Sequence, residues 1–299
     1  MLTRVGDQAQ SERIRSALLD IQDRMRTAQQ SIATGKTASV YADMPREAGI
    51  SLRTRAVRDQ LDAFAAENQK TVDQMQAADG AIGNIVALAE RLRTLLVQRL
   101  NDKTGDALPL DVEARSMTAE LAAQLNTRFD GRYLFGGSRT GTKPVELPND
   151  PILSADPTLY YQGDEVVTTS RTDSEVLIGW GVRASAPAFA EFFAALGKAA
   201  TAHGVNDRAT LQVALDQAGT ALDKLTELRS GLAANTARLE DQIESQRSAS
   251  VYLGEVLSRL EDTDIATAMT QIAQDQTALE ASYALVGRLS NLSLAEYLR

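Results

Sequence analysis

The chain has 299 residues, 43% hydrophobic, 24% charged and only 5% aromatic, with a formal net charge of -9. That length buries a sizeable core in one elongated or two compact domains, and sparse aromatics favour narrow helix seams over one thick core. The acidic balance argues against nucleic-acid binding, which needs clustered Lys and Arg; the absence of cysteine excludes disulfides, thiolate metal sites and cysteine nucleophiles.

The opening MLTRVGDQAQSERIRSALL has no apolar stretch of signal-peptide type, so no cleaved secretion signal is expected. No run of about 18 apolar residues occurs, so no membrane insertion is expected either. Ile14, Leu18, Ile21, Met25, Ala28 and Ile32 alternate steps of four and three, a heptad seam that predicts a first helix. Gly35 supplies its stop, and TGKTASVYADMP reads as a linker. A second helix is expected from about Arg46 to Asn101, with Leu61, Ala65, Val72, Met75, Ile82, Val86, Ala89 and Leu96 inward and polar Asn68 and Asp79 interrupting. NDKTGDALP breaks it, and a shorter helix is predicted from about Asp111 to Phe129.

Six of the seven prolines lie between Pro109 and Pro187, and nine of the fourteen aromatics between Phe129 and Phe193, which marks a β-rich middle. GRYLFGG, with Tyr133, Leu134 and Phe135, reads as one strand. TLYYQ and EVVTTSR read as two more around a Gly163-Asp164 turn, and EVLIGWGVRA as a fourth. Phe189, Phe192 and Phe193 have helical spacing and predict a helix packed on the β part.

Leu225, Leu228, Leu232, Asn235, Leu239, Gln242, Gln246, Ala249, Leu253, Val256 and Leu260 keep a 3-4 rhythm and predict a coiled-coil arm from about Thr220 to Leu260. EDTD breaks the rhythm, its acids favouring the next helix N-terminus. A last helix carries Ile265, Met269, Ile272, Leu279, Tyr283, Val286 and Leu289 on one side. Residues 1–34 hold five arginines against four acids, and residues 261–299 two against six, which weakly favours pairing the ends.

The predicted fold is therefore mainly α with a small inserted β-rich domain: an elongated antiparallel helical bundle or coiled coil whose N- and C-terminal helices pair. Its expected parts are an N-terminal assembly helix (1–35), a helical core ending in a β-hairpin segment (36–142), a β-rich outer domain (143–186), a return arm (187–262) and a C-terminal assembly helix (263–299).

No enzymatic constellation emerges. His203 is the only histidine, so neither a triad nor a His-rich metal site assembles. EDTDIA lacks the ligand alternation and mid-loop Gly of a calcium loop. Gly131, Gly136 and Gly137 match no phosphate-loop spacing, and Asp59 and Asp62 sit among arginines on one solvated helix face. No catalytic residue, cofactor or metal is expected.

GRYLFGGSRTGTKPV resembles the β-hairpin segment of flagellar hook–filament junction proteins, the hook-associated branch of the bacterial flagellin family. YYQGDEVVTTSRTDSEVLIGWGVRASAPAFAEFF resembles that family's variable domain and return to the helices, and RSGLAANTARLEDQ its "R…G…N…RLE" run. LEDTDIATAMTQIAQDQTALEASYALVGRLSNLSLAEYLR is similar to its terminal helix, closing LSL at Leu292 to Leu298. QSIATGKTASVYADMP resembles its early "S-S-G…D-d-P" passage, with Ala33 where Ser is usual.

The resemblance implies a secreted structural protein of cell motility, exported without a cleaved signal through the flagellar type III apparatus and located extracellularly in the bacterial flagellum, at the hook–filament junction. It implies terminal helices that are mobile in the monomer and pair when neighbouring copies cover them. Assembly contacts would come from Ile14, Leu18, Ile21, Met25 and Ile32 at one end and from Ile265, Met269, Ile272, Leu279, Tyr283, Val286 and Leu289 at the other. The implied partners are further copies of the chain, hook-associated protein 1, flagellin and a flagellar export chaperone. The alternatives are flagellin itself, the bulk filament subunit, and a cytosolic coiled-coil scaffold with a small β ligand-binding domain.

Overall fold

The computed structural model describes residues 2–38, 40–101, 109–172, 177–202 and 207–297, with side chains between residues 12 and 287. Residues 1–60 with 249–299 form one compact unit and residues 61–248 another. The fold is mainly helical with two small β-sheets. In chain order come α1 (Leu2–Thr34), α2 (Ala48–Asn101), α3 (Leu110–Leu125), β1 (Arg128–Phe129), β2 (Arg132–Tyr133), β3 (Thr169–Arg171), β4 (Leu177–Gly179), α4 (Pro187–Thr201), α5 (Arg208–Glu261) and α6 (Ile265–Tyr297). No helix among the described residues is long and apolar enough to cross a membrane.

In the first unit α1 packs on α6. Gly35 follows α1 at φ 68°, a left-handed position where a side chain would strain the backbone. Asp264 caps α6: its Oδ1 accepts from the amides of Ala266 (3.0 Å) and Thr267 (3.3 Å), satisfying first-turn donors. The acids of the EDTD break thus act as the sequence suggests at Asp264; Glu261 and Asp262 are engaged otherwise, as shown below.

The second unit is built on one continuous apolar core running from Ala65 to Ile243. Ala65, Val72, Met75, Ile82, Ala89 and Leu96 of α2 are buried, as are Leu225, Leu232 and Leu239 of α5. Ile243, outside the heptad set, is also buried, because a straight helix of 3.6 residues per turn drifts off a 3.5 repeat. α4 buries almost its whole circumference. Phe189 meets Phe135 edge-on at 6.1 Å, and Phe193 lies 4.3 Å from the Tyr160 ring. Arg229 closes a two-pronged ion pair on Asp79 at 2.8 and 3.0 Å.

A buried polar layer interrupts this core. Asn68 of α2 donates to the Thr172 carbonyl and to Gln246 Oε1, both at 3.2 Å, and Gln246 of α5 donates to the same carbonyl at 2.6 Å. One residue pair away the Thr71 hydroxyl donates to Ser170 at 3.1 Å. The β3–β4 hairpin is thereby fastened to both helices.

The β part departs from expectation in three places. α3 stops at Leu125 rather than running to Phe129, because Arg128 and Phe129 turn into β1 and pair with Tyr133 and Arg132. Asp130 (φ 49°) and Gly131 (φ 75°) make the tight turn; an Asp-Gly pair is the strongest short hairpin signal, and here it outweighs the helical continuation. GRYLFGG contributes only Arg132 and Tyr133 to a strand. No hairpin turns at Gly163-Asp164. TLYYQ forms a 3-10 turn (Pro157–Leu159) and a single bridge from Tyr161 to Val145, while Thr169–Arg171 of EVVTTSR pairs with Leu177–Gly179. The start of the fourth predicted strand, Glu175, lies outside the described residues, as does His203.

Candidate assembly surface

α1 and α6 run in opposite chain sense, with Gln22 donating to the Tyr283 hydroxyl at 3.2 Å and Arg24 pairing with Asp275 at 2.9 Å. Asp275 is buried, and the hydrogen bond from Arg24, aided by Gln271, holds its carboxyl below the usual carboxylate range. This pair was not legible in the sequence: it places a charge in a position that periodicity reserves for apolar residues.

The predicted N-terminal seam lies together on one stripe of α1: Ile21 is buried, and Ile14, Leu18, Met25 and Ile32 are half-buried. The predicted C-terminal seam divides. Ile272 and Leu279 are half-buried, flanking Asp275, whereas Ile265, Met269 (59% exposed), Tyr283 (52%) and Val286 stand out in solvent together with Leu285. The side chain of Leu289 lies outside the described residues. One helix covers only one face of another, and α6 is apolar around more of its circumference than α1 can cover. Among described residues 265–287 of α6 the only charged side chains are Asp275 and Glu280.

Where α1 ends and α6 begins, three segments meet. The Thr37 amide donates to the Glu261 carbonyl (2.7 Å), the Thr263 amide to the Gly35 carbonyl (2.9 Å), and Lys36 bridges Asp262. Glu261 is 7% exposed; it receives the Ser51 hydroxyl, both its oxygens lie 2.8 Å from Arg55 Nη2, and Lys36 Nζ stands at 3.6 Å. Burial pushes this carboxyl up, and the Ser51, Arg55 and Lys36 partners outweigh it, leaving a net lowering.

The predicted core segment around Tyr133, Leu134 and Phe135 is a clasp in the second unit. Leu134 and Phe135 are buried, the Phe135 carbonyl accepts from Ala184 (2.9 Å), and the Gly136 carbonyl from Asp164 (3.3 Å). Asp164 Oδ1 accepts from the Ser138 amide at 2.9 Å, and Oδ2 from the Ser138 hydroxyl; that hydroxyl and amide hold its carboxyl below the usual range. Gly137 sits at φ 69° with room for no side chain: a Cβ there would lie 2.2 Å from Asp164 Oδ1. Gly137→Ala is expected to destabilise this unit by about 2–3 kcal/mol, read as a lowered urea midpoint of Trp180 fluorescence. Trp180 is the chain's only tryptophan and belongs to this unit.

Among the described residues no cluster of His, Asp or Glu fit to hold a metal occurs. Residues 5–140 match the model of the bacterial flagellin N-terminal helical region, and residues 215–298 that of the bacterial flagellin C-terminal helical region. A flagellin of Halalkalibacterium halodurans is 22% identical over 263 residues, covering 87% of this chain and 86% of its own length. Two solved structures share the fold: flagellar hook-associated protein 3 of Legionella pneumophila (14% identical, TM-score 0.54, 69% of this chain and 98% of that one) and Bacillus cereus FlgL (17% identical, TM-score 0.53, with the same coverage).

Proposed function

This chain belongs to the bacterial flagellin family, and we propose that within it the chain is a structural junction subunit, polymerising as an adaptor between flagellar hook and filament. The observation that carries this reading is the apolar surface that α6 leaves exposed beside its contact with α1, where Ile265, Met269, Tyr283, Leu285 and Val286 are each more than a third in solvent. Ile265, Met269, Tyr283 and Val286 would be buried by a second copy, each contributing about 1–2 kcal/mol once enclosed. The N-terminal seam, with Ile272 and Leu279, closes the α1–α6 pair that presents this face. Residues 1–35 and 263–299 act as assembly helices, residues 36–142 and 187–262 as the helical body, and residues 143–186 as the outer β part.

Two features favour the junction over the filament. GRYLFGG and the closing LSL-x-x-YL resemble junction proteins, and the solved structures that share the fold include a hook-associated protein 3. Neighbours would then be hook-associated protein 1 on the hook side and flagellin on the filament side, with an export chaperone gripping the C-terminal arm before passage through the type III apparatus. The place of work would be extracellular, in the flagellum. The flagellin of H. halodurans, matched over 86% of its length, supports the second reading, a bulk filament subunit.

Immunogold labelling of intact flagella separates them. A single narrow band where hook meets filament is the expected result. Label along the whole filament would make the protein a flagellin, and flagella without label would overturn both.

A further inference from the structure

The chain carries a net charge of -9, yet its β1–β2 hairpin and the loop behind it are basic. Residues 128–143 hold Arg128, Arg132, Arg139 and Lys143 against Asp130 alone, and all five side chains are exposed. The Tyr133 amide donates to the Thr140 carbonyl at 2.9 Å, which ties the loop to the hairpin and makes one arm of the two. Arg128 is held over the Tyr133 ring, its Cζ 4.2 Å from the centroid, and donates to that hydroxyl at 2.9 Å. Arg139 reaches only the Gln162 carbonyl, at 3.5 Å. None of the four cations takes part in an ion pair among the described residues.

α5 presents the opposite sign. Asp216, Asp223 and Glu227 fall at i, i+7 and i+11, all exposed, on one face about 16 Å long. Asp223 and Glu227, one turn apart, repel each other. The two cations of this stretch are committed elsewhere, Lys224 to Glu191 at 3.2 Å and Arg229 to Asp79 at 2.8 Å.

We propose that the basic β1–β2 arm of one copy docks on the Asp216, Asp223 and Glu227 face of α5 in the next copy, an electrostatic contact separate from the α6 surface. The proposal rests on the reading of the chain as a polymerising subunit and deepens it. A second copy is the occupant because both signs stand on this chain, each without an internal counter-ion. The two patches are different surfaces of one unit, so the contact is heterologous and repeats from copy to copy, as growth of a polymer requires. Complementary charge also steers the encounter and fixes which way the copies face.

Charge exchange in the full-length chain tests this. Arg132→Glu with Lys143→Glu, and separately Asp223→Lys with Glu227→Lys, should each raise the concentration at which polymer sediments by about tenfold. The chain carrying all four changes should return to within about threefold of wild type, since every arm again meets the opposite charge. The Trp180 urea midpoint should stay unchanged in all three, because the four replaced side chains are exposed. Double variants that polymerise like wild type would overturn the contact and leave the junction reading intact. Loss on the hairpin side alone, with no recovery in the fourfold variant, would assign the arm to an acidic surface of another protein and overturn docking on a second copy.

A wild type that forms no polymer is met by a separate readout, because the chain has no cysteine. Arg132→Cys with Glu227→Cys, treated with a short bismaleimide, is expected to give a ladder of dimers, trimers and higher species, whereas either single variant stops at dimers. A ladder without polymer upholds the contact while the polymerisation reading fails. Monomers alone overturn the contact.

Discussion

Phe193→Ala is expected to lower the unfolding free energy of the 61–248 unit by about 3–5 kcal/mol, the usual range for emptying a fully enclosed aromatic site. Phe193 is 1% exposed and lies against Tyr160 with the rings tilted by 44°, and the Tyr160 hydroxyl donates to the Ala184 carbonyl at 3.0 Å. The site collapses poorly, because its other walls are fixed. Gly197, one turn further along α4, lets the 147–153 loop cross so closely that a Cβ would lie 1.9 Å from the Ile152 carbonyl oxygen. Lys198 holds the same loop by donating to the Leu153 carbonyl at 3.0 Å. Trp180 fluorescence should show a urea midpoint lower by about 1–1.5 M. A change under about 1 kcal/mol would mean that α4 repacks freely.

The second large effect concerns assembly rather than folding. The double variant Ile265→Asp, Met269→Asp should leave monomer helicity and the Trp180 midpoint unchanged, since both side chains stand about half in water. If a second copy covers this face, each copy then buries two unpaired carboxylates, at a cost of several kcal/mol. The concentration needed for polymer to sediment should rise at least about a hundredfold, each tenfold being about 1.4 kcal/mol. Normal polymerisation of this variant would remove the outer face of α6 from the interface.

The helices and their breaks were legible because they rest on local rules. Heptad spacing marked α1, α2 and α5, Gly35 marked a stop, and the acids after Leu260 marked a start. Which side of α6 would be covered was partly legible: Ile272 and Leu279 of the predicted seam are half-buried, but Asp275 is buried between them, and its partner Arg24 lies 251 residues away. The β segment misled for a related reason. Gly163 looks like a hairpin turn, but it is required for close approach, a Cβ there lying 2.3 Å from the Tyr161 hydroxyl, and the Asp164 carboxylate is engaged by Ser138, 26 residues away. Long-range contacts, absent from any short window, decided the strand pairing. Glu261 was read only as part of a break, because its role depends on partners more than two hundred residues distant.

The buried polar layer of Asn68, Thr172 and Gln246 has a mechanical consequence. Apolar seams are forgiving of sliding, since one leucine serves nearly as well as the next against a moving surface. A hydrogen-bonded amide layer has one register. Displacing α2 along α5 by a single turn, about 5.4 Å, would strand Asn68 and Gln246 among hydrocarbon at about 1–3 kcal/mol for each lost partner. Sliding of α2 along α5 is therefore opposed at this level by the loss of these hydrogen bonds, and the layer fixes one register for the helix pair.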